Sequence, residues 1–332
     1  MNLLLAEDQK KIHHAYAKLR AAYNTRVIDA IQELYPTPLY LYGGFLRDVL
    51  LGIQPTDIDF KVVVSQTQKN KLVDQTEALV HKAGMSFLRS DQKQSMVVIR
   101  FPITAHNGKR DLSVDLAIAS PKGLWSYAWP SHSIESTIKA TTSFTITGFC
   151  MDTKTLQCFD VAGGRGDLQN QLIRLTNPSY NLNNTPHVVF RSVYLASKLP
   201  GFTIAKETLQ YIHANATIGT KTLTLLTQTT DPLIARLLAH QVFGGLLVDP
   251  KKYFHLLQLT GLLPVVESFL FSILHRKGLL QERDIKASPV WTRSGKANIR
   301  RFFSWILRRN GLQKTERSLK QLEKACKMWT IY

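Results

Sequence analysis

A chain of 332 residues with 44% hydrophobic content is long enough for two or three domains and at least one sizeable core. Its 42 Lys and Arg against 24 Asp and Glu leave a net charge of +18, which points to a polyanionic partner, nucleic acid or an anionic membrane surface. No apolar run approaches the roughly 20 residues needed to span a bilayer, so no membrane partner is expected.

The charge is uneven. Arg276 to Lys327 holds 15 Lys and Arg against 4 Asp and Glu, a local +11, and leaves +7 for the rest. Charge concentrated at one end reads as a binding surface rather than general solubility. Cys150, Cys158 and Cys326 form no C-x-x-C pair, so a zinc site is not expected, and such a sparse set fits a reducing, cytoplasmic compartment. Cys150 and Cys158 lie in apolar runs and read as inert core residues. The start, MNLLLAEDQKK, lacks the basic segment of a signal peptide.

Residues 1–35 read as a helical lead-in. Ile12, Ala15, Leu19 and Ala22 recur at helical spacing, and Val27, Ile28 and Ile31 follow. The adjacent His13 and His14 point apart on a helix and read as surface residues. From Pro36 to about Asp160 the pattern is strands with two helices. Leu39 to Tyr42 is a short strand ending in Gly43-Gly44, and Phe45 to Leu51 continues as a helix closed by Gly52. Asp57 to Val64 alternates, with Ile58, Phe60, Val62 and Val64 on one face and Asp57, Asp59 and Lys61 on the other. Residues 66–84 read as a helix, and Met96 to Phe101 and Asp111 to Ala119 as strands. Residues 120–140 look like an irregular insertion. Phe144 to Met151 and Leu156 to Asp160 would complete a small mixed sheet. After Gly166 the strand signal fades, and helices are expected at 185–199, 206–214, 232–246, 251–258, 262–275, 296–309 and 313–328.

Two features carry chemistry together. Paired glycines at a strand-to-helix turn let the backbone approach a ligand and free its N–H groups for a phosphate chain. Asp57-Ile58-Asp59 projects two carboxylates from one strand face, about 7 Å apart along the chain. Phosphoryl transfer with two metal ions needs hard oxygen ligands grouped in this way. Asp115, on the polar face of its alternating strand, suits a third carboxylate, with Asp111 in reserve.

Residues 39–64, LYLYGGFLRDVLLGIQPTDIDFKVVV, resemble the signature of the class II tRNA nucleotidyltransferase and bacterial poly(A) polymerase family, of the polymerase-β-like superfamily. FTITGFCMD (144–152) and FDVAGGRGDLQNQLIRL (159–175) resemble the end of that family's head. FRSVYLASKLPGFTI (190–204) resembles its neck helix, and HLLQLTGLLPVV (255–266) a later helical element. The resemblance implies an α+β polymerase-β-type head over 36–175, a helical neck and body over 176–285, and, with the charge pattern, a basic RNA-binding tail over 286–332. It implies Mg2+, or Mn2+, on Asp57, Asp59 and Asp115. Gly43, Gly44, Arg47, Ser143 and Arg191 would hold the nucleotide.

The departures are as informative. Where the family carries Arg-Arg-Asp this chain has Thr141, Thr142 and Ser143, and the following Asn is Thr147. An Arg expected after the third acidic strand is Ser120. The Asp and Arg that read the base at the start of the neck are Thr185 and Val188, and only the later Arg191 remains. His187, a lone helical histidine, reads as structural or exposed. In the tail, Phe302, Trp305 and Ile306 recur as a small helical core, which leaves Arg300, Arg301, Arg308 and Arg309 to face phosphates.

The expected reaction is transfer of a nucleoside monophosphate from an NTP, with ATP favoured, to an RNA 3′ end. Two alternatives stand beside it. One is an RNA-binding homologue that has lost catalysis. The other is nucleotidyl transfer to a non-RNA acceptor.

Overall fold

The computed structural model describes residues 2–92, 96–108, 111–120, 134–229 and 232–275. The chain forms two compact units, Met1–Asn170 and Gln171–Tyr332.

The first unit runs β1 (Asn2–Leu3), α1 (Ala6–Ala22), α2 (Arg26–Leu34), β2 (Tyr40–Tyr42), α3 (Gly44–Leu50), β3 (Asp57–Val63), α4 (Gln66–Lys82), β4 (Leu88–Gln92), β5 (Met96–Thr104), β6 (Asp111–Ala119), α5 (Ile134–Thr141), a 3-10 turn (Thr145–Thr147), β7 (Phe149–Asp152), β8 (Cys158–Asp160) and α6 (Gly164–Gln169). The strands form one sheet of eight in the order β1-β8-β7-β2-β3-β6-β5-β4. β3 and β6 are parallel, and the other neighbours are antiparallel.

Alternation decides which face each side chain takes. Ile58, Phe60 and Val62 of β3, Val97, Ile99, Phe101 and Ile103 of β5, and Leu112, Val114, Leu116 and Ile118 of β6 are all buried. α4 packs on β5 and β6, and its Thr76 hydroxyl meets Tyr35 Oη at 2.8 Å just beyond α2. α5 packs on β3 and meets the opposite, polar set, because its Thr141 accepts a hydrogen bond from Lys61. The lead-in belongs to this unit: β1 pairs with β8, and α1 packs on α3.

The second unit runs β9 (Leu172–Ile173), α7 (Pro178–Asn184), α8 (Val188–Lys198), β10 (Thr203–Ile204), α9 (Lys206–Ala214), α10 (Ile218–Gln228), α11 (Pro232–Val248), α12 (Pro250–Leu259) and α13 (Leu263–His275). α8 is its centre, with Val188, Val189, Phe190, Val193 and Ala196 buried and packing on α11 and α12. Asn177 and Asp249 cap α7 and α12 with their side-chain oxygens, each followed by a proline in the first turn.

Several expectations are corrected. The sheet has eight strands and is not small, because the two-residue β1 and the polar β4 join its edges. The region read as an irregular insertion ends in a helix, α5. Phe144 to Met151 is not one strand, since Thr145–Thr147 form a 3-10 turn before β7 begins. Among the described residues, the regular structure of the second unit is helical apart from the short parallel pair β9–β10. The helices expected at 296–309 and 313–328 lie outside the described residues.

Candidate active site

The site is built on β2, β3, β5 and β6. β2 ends at Tyr42, and Gly43 then takes φ 79°, ψ −133°, a conformation that only glycine adopts without strain. A β-carbon on Gly43 would stand 3.4 Å from Asp59 Oδ2, so the turn backbone passes directly against the second aspartate. The Gly43 N–H donates to Phe149 O at 3.2 Å, so β7 helps to hold the turn.

The turn's own arginine is already engaged. Arg47 and Asp48 are both buried. Arg47 Nε donates to Asp48 Oδ1 at 2.7 Å, and Nη2 lies 2.5 Å from the same oxygen. The guanidinium also lies over Gly44, 3.5 Å from where a β-carbon would be. Arg47, expected to hold the nucleotide, is thus paired with Asp48 against the glycine turn.

The acids form a row across the sheet. Asp59 of β3 is in register with Asp115 of β6, and Asp115 with Arg100 of β5. Asp57 is exposed at the first position of β3, and Asp59 is half-buried. Asp115 is held by a fork. Arg100 Nε donates to Oδ1 at 2.6 Å, and Nη2 donates to Oδ2 at 2.5 Å. The Arg100 guanidinium is held above its usual pKa, chiefly by Asp115 and also by Asp59 and Asp57, against the opposing effect of burial. Asp111, the reserve candidate, sits exposed at the start of β6 opposite Thr104, away from this row.

Among the described residues, no three His, Cys, Asp or Glu side chains gather closely enough to hold a metal ion. Asp115 stands beside Asp59, as the three-carboxylate expectation requires, and its carboxylate is bonded to Arg100 in this structure. Asp57 and Asp59 remain as a pair of hard oxygen donors of the kind that fits a divalent cation.

Lys61 is the residue that sequence reasoning passed over. It lies two positions after Asp59 on the same face and is 1% exposed. Its ammonium donates to Thr141 Oγ1 at 2.5 Å and lies 4.4 Å from the centre of the Tyr42 ring. Burial pushes its pKa down to about 8, opposed by the nearby Asp59 and Cys150. The only signal in the sequence was its place on the polar face of β3. Its partner, Thr141, stands where the related family carries an arginine.

Segment 144–167, which reaches the turn through Phe149, is held by its own hydrogen bonds. Thr145 Oγ1 donates to Asp167 Oδ2 at 2.7 Å. Asp160 accepts from the backbone N–H of Ala162, Gly164 and Arg165 at 3.2, 2.9 and 2.9 Å. A β-carbon on Gly164 would fall 2.1 Å from Thr145 O, so glycine is required for this close approach. Ser143, expected near the nucleotide, is buried between α5 and the 3-10 turn. Cys150 and Cys158 are buried free thiols, each pushed up to about 12 by burial, as befits inert core residues. His14 is exposed on α1, as expected, whereas His13 is half-buried, its Nε2 meeting Leu156 O at 2.6 Å.

The remaining candidates lie in the second unit or beyond the description. Arg191 is on α8, one turn after the half-buried His187, whose pKa is pushed down to about 4 by burial and by Arg191. The Thr185 hydroxyl donates to Asn181 O at 2.8 Å, and Val188 is fully buried. Neither offers a free donor to a base. Arg300, Arg301, Arg308 and Arg309 lie outside the described residues.

Residues 39–174 match the poly A polymerase head domain. The head of this chain is thus similar to the poly A polymerase head domain over 136 of its 332 residues. The multifunctional CCA protein of Vibrio parahaemolyticus is 31% identical over 183 residues, covering 54% of this chain and 41% of that protein. Its counterpart in Tolumonas auensis is 31% identical over 173 residues, covering 52% of this chain and 38% of that protein. The chain thus spans about two fifths of the length of the curated relatives it matches. In fold, the Bacillus stearothermophilus CCA-adding enzyme in complex with CTP superimposes with a TM-score of 0.55 at 18% identity, covering 90% of this chain and 66% of that one. A tRNA-processing enzyme with CTP gives a TM-score of 0.52 at 16% identity, covering 90% of this chain and 74% of that one. No helix among the described residues is long and apolar enough to cross a membrane.

Proposed function

We propose that this protein transfers a nucleoside monophosphate from an NTP to an RNA 3′ end, with Mg2+ held by Asp57 and Asp59. The observation that carries the reading is the approach of the Gly43 turn to Asp59, which sets a glycine backbone suited to phosphate against the acidic strand. The similarity of residues 39–174 to the poly A polymerase head domain and the +18 charge support it.

When bound, a divalent cation supplies Lewis-acid activation of the attacking hydroxyl and neutralises the triphosphate. The chain's own part is positioning. Gly43 keeps the space above Asp59 clear of side chain. Arg47 and Asp48 stiffen the turn. Lys61 offsets part of the negative charge behind Asp59. These residues place the reactants, and catalysis of this kind rests mainly on such placement and on charge neutralisation.

The acceptor is RNA rather than a protein or metabolite, on the strength of the local +11 between Arg276 and Lys327. A second reading, a non-catalytic RNA-binding protein, is favoured by one observation: Asp115 is closed off by Arg100. Incubation with RNA and each labelled NTP in turn, with Mg2+, separates the two. Labelled 3′ ends support transfer. RNA binding without incorporation or NTP affinity supports the second reading.

A further inference from the structure

Asp59, Asp115 and Arg100 lie side by side on three neighbouring strands, fixed there by backbone register and not by flexible loops. The fork from Arg100 takes both oxygens of Asp115, so no carboxylate oxygen of Asp115 is left without a cationic partner. A pair of this kind is charge-assisted and geometrically specific. It is also only partly covered, with side-chain exposures of 35% for Arg100 and 21% for Asp115, so solvent screens it and it can open. Arg100 feels Asp57 and Asp59 as well. Its single positive charge therefore answers the whole acidic row, in the place where a divalent cation would do so.

We propose that Arg100 is a built-in counter-cation of the acidic row, which holds Asp115 in the metal-free protein and must release it for Asp115 to join Asp57 and Asp59 on a divalent cation. The inference rests on the metal-binding reading given under Proposed function. It makes Arg100 a positioning residue with two consequences. The metal-free strands are spared the repulsion of three adjacent carboxylates. Metal affinity is lowered, because part of the binding free energy goes into breaking the fork. The freed guanidinium is then on hand beside the metal, on a strand next to the acids, where an anionic phosphate is expected.

The test is titration of the full chain with Mn2+ alone, followed by electron paramagnetic resonance of the unbound ion, with no nucleotide present. Five proteins are compared: wild type, Arg100→Gln, Arg100→Lys, Asp115→Asn and the double variant Arg100→Gln with Asp115→Asn. Arg100→Gln should bind Mn2+ about tenfold more tightly than wild type. In the Asp115→Asn background the same substitution should gain no more than about threefold, because only the long-range field of the charge is then removed. Arg100→Lys, which keeps the charge but loses the fork, should fall between wild type and Arg100→Gln. Unchanged or weaker binding in Arg100→Gln overturns the inference while leaving the metal site intact. An equal gain in both backgrounds also overturns it, since the effect would then be field and not competition. Absence of Mn2+ binding in all the proteins defeats the metal reading itself. Circular dichroism checks each fold, and Arg100→Met serves if Arg100→Gln does not fold.

Discussion

The Lys61 ammonium donates to Thr141 Oγ1 at 2.5 Å, from a side chain that is 1% exposed. A buried cation with a neutral partner is costly, and its depressed pKa of about 8 states that cost. Between about pH 8 and 10.5 the unfolded chain holds this proton more strongly than the folded one, so the Lys61 contribution to stability rises with pH across that window. Lys61→Met should therefore be more stable than wild type at pH 7, by about 1–3 kcal/mol, with the difference vanishing near pH 10.5. Urea unfolding of both proteins at pH 7 and 10 measures it. A variant less stable at pH 7 would mean that the hydrogen bond and the Tyr42 contact outweigh the desolvation cost.

Gly43 makes a second prediction. Gly43→Ala places a side chain at φ 79° and against Asp59 Oδ2. It should lose about 1–2 kcal/mol of stability and most nucleotide incorporation. Gly52, also at positive φ but with open space around it, is the control. Gly52→Ala should show the backbone cost alone, with incorporation near wild type. Equal losses of activity at both positions would dissociate the glycine turn from the acidic strand.

The basic tail makes a third. Its 12 Lys and Arg against 2 Asp and Glu predict that removing residues 286–332 weakens RNA binding and flattens the slope of log affinity against log salt, because fewer counterions are released. Circular dichroism accompanies the measurement. An unchanged slope would place the RNA-binding charge elsewhere.

Base choice is the fourth. Thr185 gives its hydroxyl proton to Asn181 O, and Val188 is fully buried, so the two positions that read the base in related enzymes offer it little here. Each lost polar contact removes on the order of 1–3 kcal/mol of discrimination. The protein should add one or a few nucleotides of a single kind, ATP being favoured, or discriminate poorly. Faithful synthesis of C-C-A on a tRNA lacking its 3′ end, read by sequencing, would overturn this.

How far the sequence led depended on how local each cause was. The alternation of Asp57 to Val64 and Asp111 to Ala119 is a property of the segments themselves, and both formed the strands expected. The helix read at 206–214 is α9, whose pattern likewise needs no partner to be seen. α5 was hidden because only Ile134 and Ile138 mark its apolar face. Thr145 to Thr147 looked like a strand, but contact with the Gly164 turn and Asp167 draws it into a 3-10 turn. The acids Asp57, Asp59 and Asp115 were legible as a set, while the cations among them were not. Arg100 reaches Asp115 only through strand register across 15 residues, and Lys61 reaches Thr141 across 80. Long-range pairing of that kind leaves no local mark in a sequence.

The central claim, metal-dependent nucleotide transfer to RNA from the Asp57–Asp59 strand, is tested most directly by one assay. The full chain is incubated with total RNA, Mg2+ and each NTP in turn, and the 3′ ends are sequenced, beside Asp57→Asn and Asp59→Asn proteins of matched stability. The account predicts added nucleotides in wild type and a loss of at least about a hundredfold in either variant. Near-normal incorporation by the variants, or none by wild type with any NTP, would contradict it.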